Sequence, residues 1–199
     1  AKDPLIQAMG INQIQIQLPG EKDVDRAIAL IKKTAFLTFN VVAGRDETIK
    51  TFEAIKKQPK FDKRFTPFLK QDSRSGTFKV PIEHVDKIKA VIEEANAMAG
   101  LLPQGKILAL SQPPNPWDPQ EYEIYLMDKE PLIDGGGLSM AAARPDNENP
   151  GKYQILFEFS PEPARKFGQA TEANIGKPMA IVLDGVVCSA PVIRDKITR

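Results

Sequence analysis

The stretch Gln13-Ile14-Gln15-Ile16-Gln17-Leu18-Pro19-Gly20 decides the reading of the fold. Ile14, Ile16 and Leu18 alternate with Gln13, Gln15 and Gln17, so one face is apolar and the other polar. A period of two marks a half-buried strand, and Pro19-Gly20 ends it. Next along the chain, Val24, Ala27, Ile28 and Ile31 recur at the spacing of one helix face. Asp23 and Asp25 near its start and Lys32 and Lys33 near its end suit the helix dipole. Residues 35–42, Ala-Phe-Leu-Thr-Phe-Asn-Val-Val, read as a second strand. Strand, helix and strand within about thirty residues have the length of a βαβ unit.

The plan recurs toward the other end. Residues 153–159, from Tyr153 to Phe159, read as a strand. Ser160 stands where a helix is capped, with Pro161 in the first turn. Ala164, Phe167, Thr171 and Ile175 form the inner helix face, and Gly176 stops it. Residues 179–183 are the next strand, Asp184-Gly185 is a hairpin turn, and residues 186–190 return as a strand closed by Pro191. Two such halves predict an α+β fold with a ferredoxin-like base, a four-stranded antiparallel sheet burying one face under two helices. About a hundred residues separate the halves, too many for one connection within a compact unit, so the middle is an inserted α+β subdomain. The expected organisation is 1–44 for the first half of the base, 45–135 for the insert and 136–199 for the second half.

Within the insert, a helix is expected over residues 46–58 with Ile49, Phe52 and Ile55 inward, and a longer one over 84–101 carrying Val85, Ile88, Val91, Ile92 and Ala95. Residues 77–80, 106–110 and 122–126 read as strands, the last after the rigid stretch Pro113-Pro114-Asn115-Pro116-Trp117. Gly44 opens the insert, and Gly135-Gly136-Gly137 closes it as a flexible connector, so these four glycines are the expected hinge. Residues 145–151 form a polar loop.

Composition narrows the function. The 199 residues are 42% hydrophobic and 27% charged, a globular balance. With 27 basic and 26 acidic residues the net charge is +1, which argues against a nucleic-acid partner. No apolar run approaches the ~20 residues that span a bilayer, and Ala1-Lys2-Asp3-Pro4 lacks the apolar core of a signal peptide. Both ends read as cuts from a longer chain. The one cysteine, Cys188, lies in an apolar run and reads as a small core residue.

Catalytic patterns are missing. His84 is the one histidine, and nothing at metal-ligand spacing accompanies it. No Gly-x-Ser-x-Gly elbow presents a nucleophile. Gly135-Gly136-Gly137 has neither the Gly-Lys-Ser/Thr ending of a phosphate loop nor dinucleotide spacing. Asp146-Asn147-Glu148-Asn149 lacks a calcium-loop pattern. No cofactor, metal site or enzymatic activity is expected. Residues 56–68 mix cations with Phe61, Phe65 and Phe68, a combination that grips unfolded polypeptide or, more commonly, packs its rings into a local core beneath a solvated basic face.

The C-terminal motifs carry a resemblance. Asn174-Ile175-Gly176-Lys177-Pro178, then Leu183-Asp184-Gly185, then Ser189-Ala190-Pro191-Val192-Ile193 follow one another in the order seen in the extracytoplasmic region of the SecD family, part of the bacterial SecDF protein-export complex. Gly10-Ile11, Gln17-Leu18-Pro19-Gly20, Arg26-Ala27 and residues 34–39 are similar to that family's opening strand-helix-strand. The motif match covers about residues 9–44 and 150–194 and leaves 45–135 without a family motif. The resemblance implies the first periplasmic domain of an inner-membrane protein, with a base and an inserted head. It implies a head that contacts translocating unfolded preprotein and swings on the base. It further implies SecF and the SecYEG channel as partners through the full-length protein, with proton coupling in the membrane part. Phe61, Phe65, Phe68 and Trp117 are the expected polypeptide-binding residues. The competing expectation is a scaffold that only positions partner subunits; a hydrolase built on dispersed carboxylates stands third.

Overall fold

The alternating runs found in the sequence do form strands. In the computed structural model, which describes residues 6–9, 13–17, 37–72, 77–112, 121–145 and 153–197, they build an α+β protein. Twelve strands fall into three antiparallel sheets of four, accompanied by four α-helices among the described residues. The chain divides into two compact units, an inserted one spanning Val42–Glu130 and a discontinuous one made of Ala1–Val41 and Pro131–Arg199.

In the inserted unit, strands β4 (Lys70–Gln71), β5 (Phe78–Pro81), β6 (Lys106–Leu110) and β7 (Glu121–Asp128) stand in the order β4-β5-β7-β6. Register pairs Phe78 with Ile124 and Leu108 with Leu126. Alternation therefore sends these side chains and Val80 to one face, where they meet three helices. These are α1 (Arg45–Lys56), α2 (Pro59–Phe65) and α3 (Val85–Ala97). Ile88, Val91, Ile92 and Ala95 fill the inner face of α3 as their spacing predicts. On α1 the buried set is Thr48, Thr51, Phe52 and Ile55, and Ile49 is half-buried. The two threonines tolerate burial because each hydroxyl donates to a backbone carbonyl four residues earlier, Thr48 to Gly44 and Thr51 to Glu47. Phe52 lies at the centre, its ring 3.8 Å from Phe78 and 5.5 Å from Phe65 between centroids.

The discontinuous unit carries the other two sheets. One has the order β1-β2-β10-β9, from β1 (Ile6–Met9), β2 (Gln13–Gln17), β9 (Leu138–Pro145) and β10 (Tyr153–Phe159). The other has the order β12-β11-β3-β8, from β3 (Leu37–Val41), β8 (Ile133–Asp134), β11 (Met179–Leu183) and β12 (Val186–Ser189). This corrects the single ferredoxin-like sheet expected from the sequence. The four strands of the two halves are present, but they sort into β2 beside β10 and β3 beside β11. Strands β1 and β9 flank the first pair, and β8 and β12 flank the second. Each pair thus becomes the middle of its own sheet. The helix expected over residues 24–33 lies outside the described residues.

Among the described residues one core serves this unit. Phe39 of β3 meets Phe157 and Phe159 of β10 and Phe167 of α4 (Pro161–Ala173) edge-on, with ring centroids 5.4–6.1 Å apart. Such edge-to-face arrangements suit the ring quadrupole. Ser160 occupies the N-cap position of α4, yet its side chain makes no capping hydrogen bond. Asp184 (φ 51°) and Gly185 (φ 80°) both turn left-handed, the requirement of a tight hairpin between β11 and β12. After β12 the chain returns over α4, where Thr171 Oγ1 accepts the backbone N–H of Ile197 at 3.0 Å and helps bury Ile193 and Ile197. Cys188 is half-buried at the margin of the core, a more exposed place than its apolar neighbours indicated, because β12 is an edge strand with alternate residues turned outward.

Candidate polypeptide-contacting surface

The basic and aromatic segment 56–68 folds as α2 followed by a 3-10 turn, Thr66–Phe68. Phe61 and Phe65 are one helical turn apart on one face, and both are fully buried in the core of the inserted unit. They do not reach the surface, a correction to their expected role as contacts for polypeptide. Burial of two large apolar rings outweighs any use of them outside. The cations take the opposite face. Arg64 grips Glu94 of α3 through both guanidinium nitrogens at 2.6 and 3.0 Å, and Lys60 reaches the same carboxylate at 2.9 Å. Hydrogen bonds from Arg64 and then Lys60 hold the Glu94 carboxyl at about 2, below its ordinary 4.5.

Phe68 is half-buried. Its ring centroid lies 4.3 Å from that of His84, with the Lys87 ammonium 5.9 Å away over the ring. His84 ends a 3-10 turn leading into α3, Nε2 sits 3.8 Å from Glu83, and its buried Nδ1 has no hydrogen-bond partner among the described residues. Ile82 in the same turn is 44% exposed. Trp117 lies outside the described residues.

A second apolar stretch lies at the far end of α3. Met98 is 43% exposed, and the loop after it, with Gly100 and Gly105 at positive φ, lines an open groove of about 460 Å³. Its walls include Thr51 and Ala54 of α1 and Leu101, Leu102 and Pro103 of the loop, with Glu47 and Lys50 at the rim. Sequence reasoning passed over this place. The signal for it was an apolar Met98 beyond the last buried position of α3, followed by Gly100. Glu47 is, among the described residues, the one carboxylate lining the groove. Among the described residues no cluster of His, Cys, Asp or Glu could hold a metal ion. No described helix is long and apolar enough to cross a membrane.

The expected hinge glycines differ in setting. Gly44 precedes α1, exposed, with no atom of the described residues within 4 Å of where a Cβ would stand. Gly135–Gly137 form a 3-10 turn. Asp134 accepts the Gly136 N–H at 3.0 Å, and the Gly137 carbonyl accepts the Ser160 N–H at 2.9 Å. Gly135 and Gly137 are buried, and a Cβ on Gly137 would stand 2.7 Å from Pro163 Cβ.

A two-unit α+β module with apolar surface and, among the described residues, no assembled catalytic group is the class these features define. Its relatives are specific. A family model for the N-terminal P1 domain of protein translocase subunit SecDF matches residues 1–44, and one for the SecDF P1 head subdomain matches residues 110–199. Protein translocase subunit SecD of Endomicrobium trichonymphae is 34% identical over 99% of this chain, and that of Aquifex aeolicus 31% over 98%. The chain spans 35% and 28% of their lengths. A solved structure described as a membrane component SecDF that enhances protein export is 30% identical, covered for 68% of its chain by 100% of this one, with a TM-score of 0.40. Identity along nearly the whole chain decides the matter: the chain belongs to the SecD/SecDF family of protein translocase subunits, as its P1 domain.

Proposed function

We propose that this chain is a non-catalytic periplasmic domain of a membrane-bound translocase subunit, and that it takes hold of unfolded preprotein emerging from the Sec channel. The inserted unit is the head that makes contact and the discontinuous unit is the base. The observation that carries this reading is the separate apolar core of Val42–Glu130. A unit with its own core can keep its shape independently of the rest of the chain. The family model for the head runs across the boundary at 130/131, so the head assignment rests on insertion and separate packing. Contact falls to Phe68, Ile82, Met98 and the groove beside α1, which are among the exposed or half-exposed apolar surface of this unit.

SecF and the SecYEG channel are the partners through the full-length protein, whose membrane part drives the cycle. Gly44 and Gly135–Gly137 lie near the two crossings and are the proposed pivot. Motion of the head does work on a sliding chain only if the head binds it with different affinity in two positions. A photo-crosslinker placed at Phe68, Ile82 and Met98, with Ile175 of the base as control, tests the reading. Crosslinks to an unfolded exported precursor, absent with its folded form and at Ile175, are expected. Crosslinks confined to Ile175, or none from a folded domain, would leave a scaffold that positions partner subunits.

A further inference from the structure

Strand β6 is an edge of the inserted unit's sheet and has the composition of an inviting one, Lys106-Ile107-Leu108-Ala109-Leu110. Exposed edges of apolar strands accept further strands, from another copy or from any extended chain. Antiparallel pairing with β7 turns the backbone groups of alternate residues outward. At Leu108 both outward groups are occupied by one side chain. Asn96, in the last turn of α3, donates from Nδ2 to the Leu108 carbonyl at 2.9 Å and accepts the Leu108 N–H on Oδ1 at 2.8 Å. The N–H of Lys106 is taken as well, donating to the Pro103 carbonyl at 3.1 Å. At the opposite edge of the sheet, β4 is only two residues long.

We propose that Asn96 is an edge guard. Its carboxamide makes the same two bonds to Leu108 that the facing residue of an incoming antiparallel strand would make, and so keeps extended polypeptide from adding to β6. At Leu108 the head then offers an extended chain side chains and no free backbone pair. Such contacts release readily, whereas strand addition would hold the chain through a ladder of backbone bonds. This goes beyond capture itself and holds whichever surface residues make that contact.

The test is Asn96→Ala in the whole chain. Asn96 is exposed on α3 and alanine is the better helix former, so the fold is retained. Two readouts follow. Hydrogen exchange at the Leu108 amide should quicken by about tenfold, the loss of one hydrogen bond. A labelled short peptide alternating threonine and valine should bind N96A about tenfold more tightly than the parent chain. Asn96→Asp keeps the acceptor for the Leu108 N–H and loses the donor to its carbonyl, so it should leave the amide slow while raising peptide affinity less than N96A. Unchanged exchange at Leu108 in N96A would overturn the clamp. Quickened exchange without peptide binding would overturn the guard. Neither result depends on whether the parent chain crosslinks to preprotein, so failure here and failure of the capture reading are separable.

Discussion

Replacing Phe65 with alanine separates a core role from a binding role. Phe65 is fully buried and stacks on Phe52, which in turn stacks on Phe78. A phenylalanine buries about 150–250 Å², and at about 25 cal/mol per Å² the side chain's burial contributes roughly 4–6 kcal/mol as an upper bound. Measured Phe→Ala changes in cores cost about 3–5 kcal/mol, because the cavity collapses only in part. The expected loss is therefore about 4 kcal/mol, confined to the inserted unit. Hydrogen exchange resolved by residue reads it: amides of β5, β7 and α3 should lose protection by close to three orders of magnitude while those of β11 keep theirs. An effect below about 1 kcal/mol, accompanied by weaker binding of unfolded polypeptide, would refute the burial argument and return Phe65 to the surface.

Two further expectations follow from particular contacts. Gly137→Ala should destabilise the discontinuous unit by about 1–3 kcal/mol, because its Cβ meets Pro163 at 2.7 Å, whereas Gly44→Ala, in open space at φ −64°, should leave thermal stability nearly unchanged. Glu94 should titrate near 2 by carbon-detected NMR, and Arg64→Gln should return it toward 4.5. Because its folded pKa lies below the ordinary value, the stabilisation from this cluster is complete above about 4.5 and is lost as pH falls toward 2. The cluster is solvent-exposed, and added salt should weaken it.

The sequence carried the elements whose signals are local. Strand β11 begins and ends where it was read, a run of apolar residues between Pro178 and the Asp184-Gly185 turn. Strand β6 and strand β10 were equally plain. Strand β9 was missed because Ala141-Ala142-Ala143 has little intrinsic preference for a strand; pairing with β10 makes it one. That omission, with β1 and β8, is why one sheet was expected where two formed. Which strand lies beside which is a tertiary matter, and spacing along the chain does not report it.

The site divides the same way. The four-residue spacing of Phe61 and Phe65 was visible, and on a helix it puts both rings on one face. It agrees with the commoner of the two readings of that segment, rings in a local core beneath a basic outer face; what the spacing did not show is that Lys60 and Arg64 of that face meet Glu94. The Gly135–Gly137 run has no side chains to read, so composition pointed to a flexible connector. Its structure follows from what glycine permits, the close approach of Pro163, which depends on residues far along the chain. The Asn96–Leu108 clamp had no sequence signature, since a polar residue on an exposed helix face is ordinary.

The central claim is that the inserted unit grips unfolded preprotein with surface apolar groups. Hydrogen exchange over the whole chain, with and without an unfolded exported precursor, tests it most directly. New protection is expected in the segments around Phe68, Ile82 to Val85 and Met98 to Leu102, with β11 and α4 unchanged. Protection appearing only in the discontinuous unit, or nowhere at precursor concentrations that saturate the intact translocase, would contradict it.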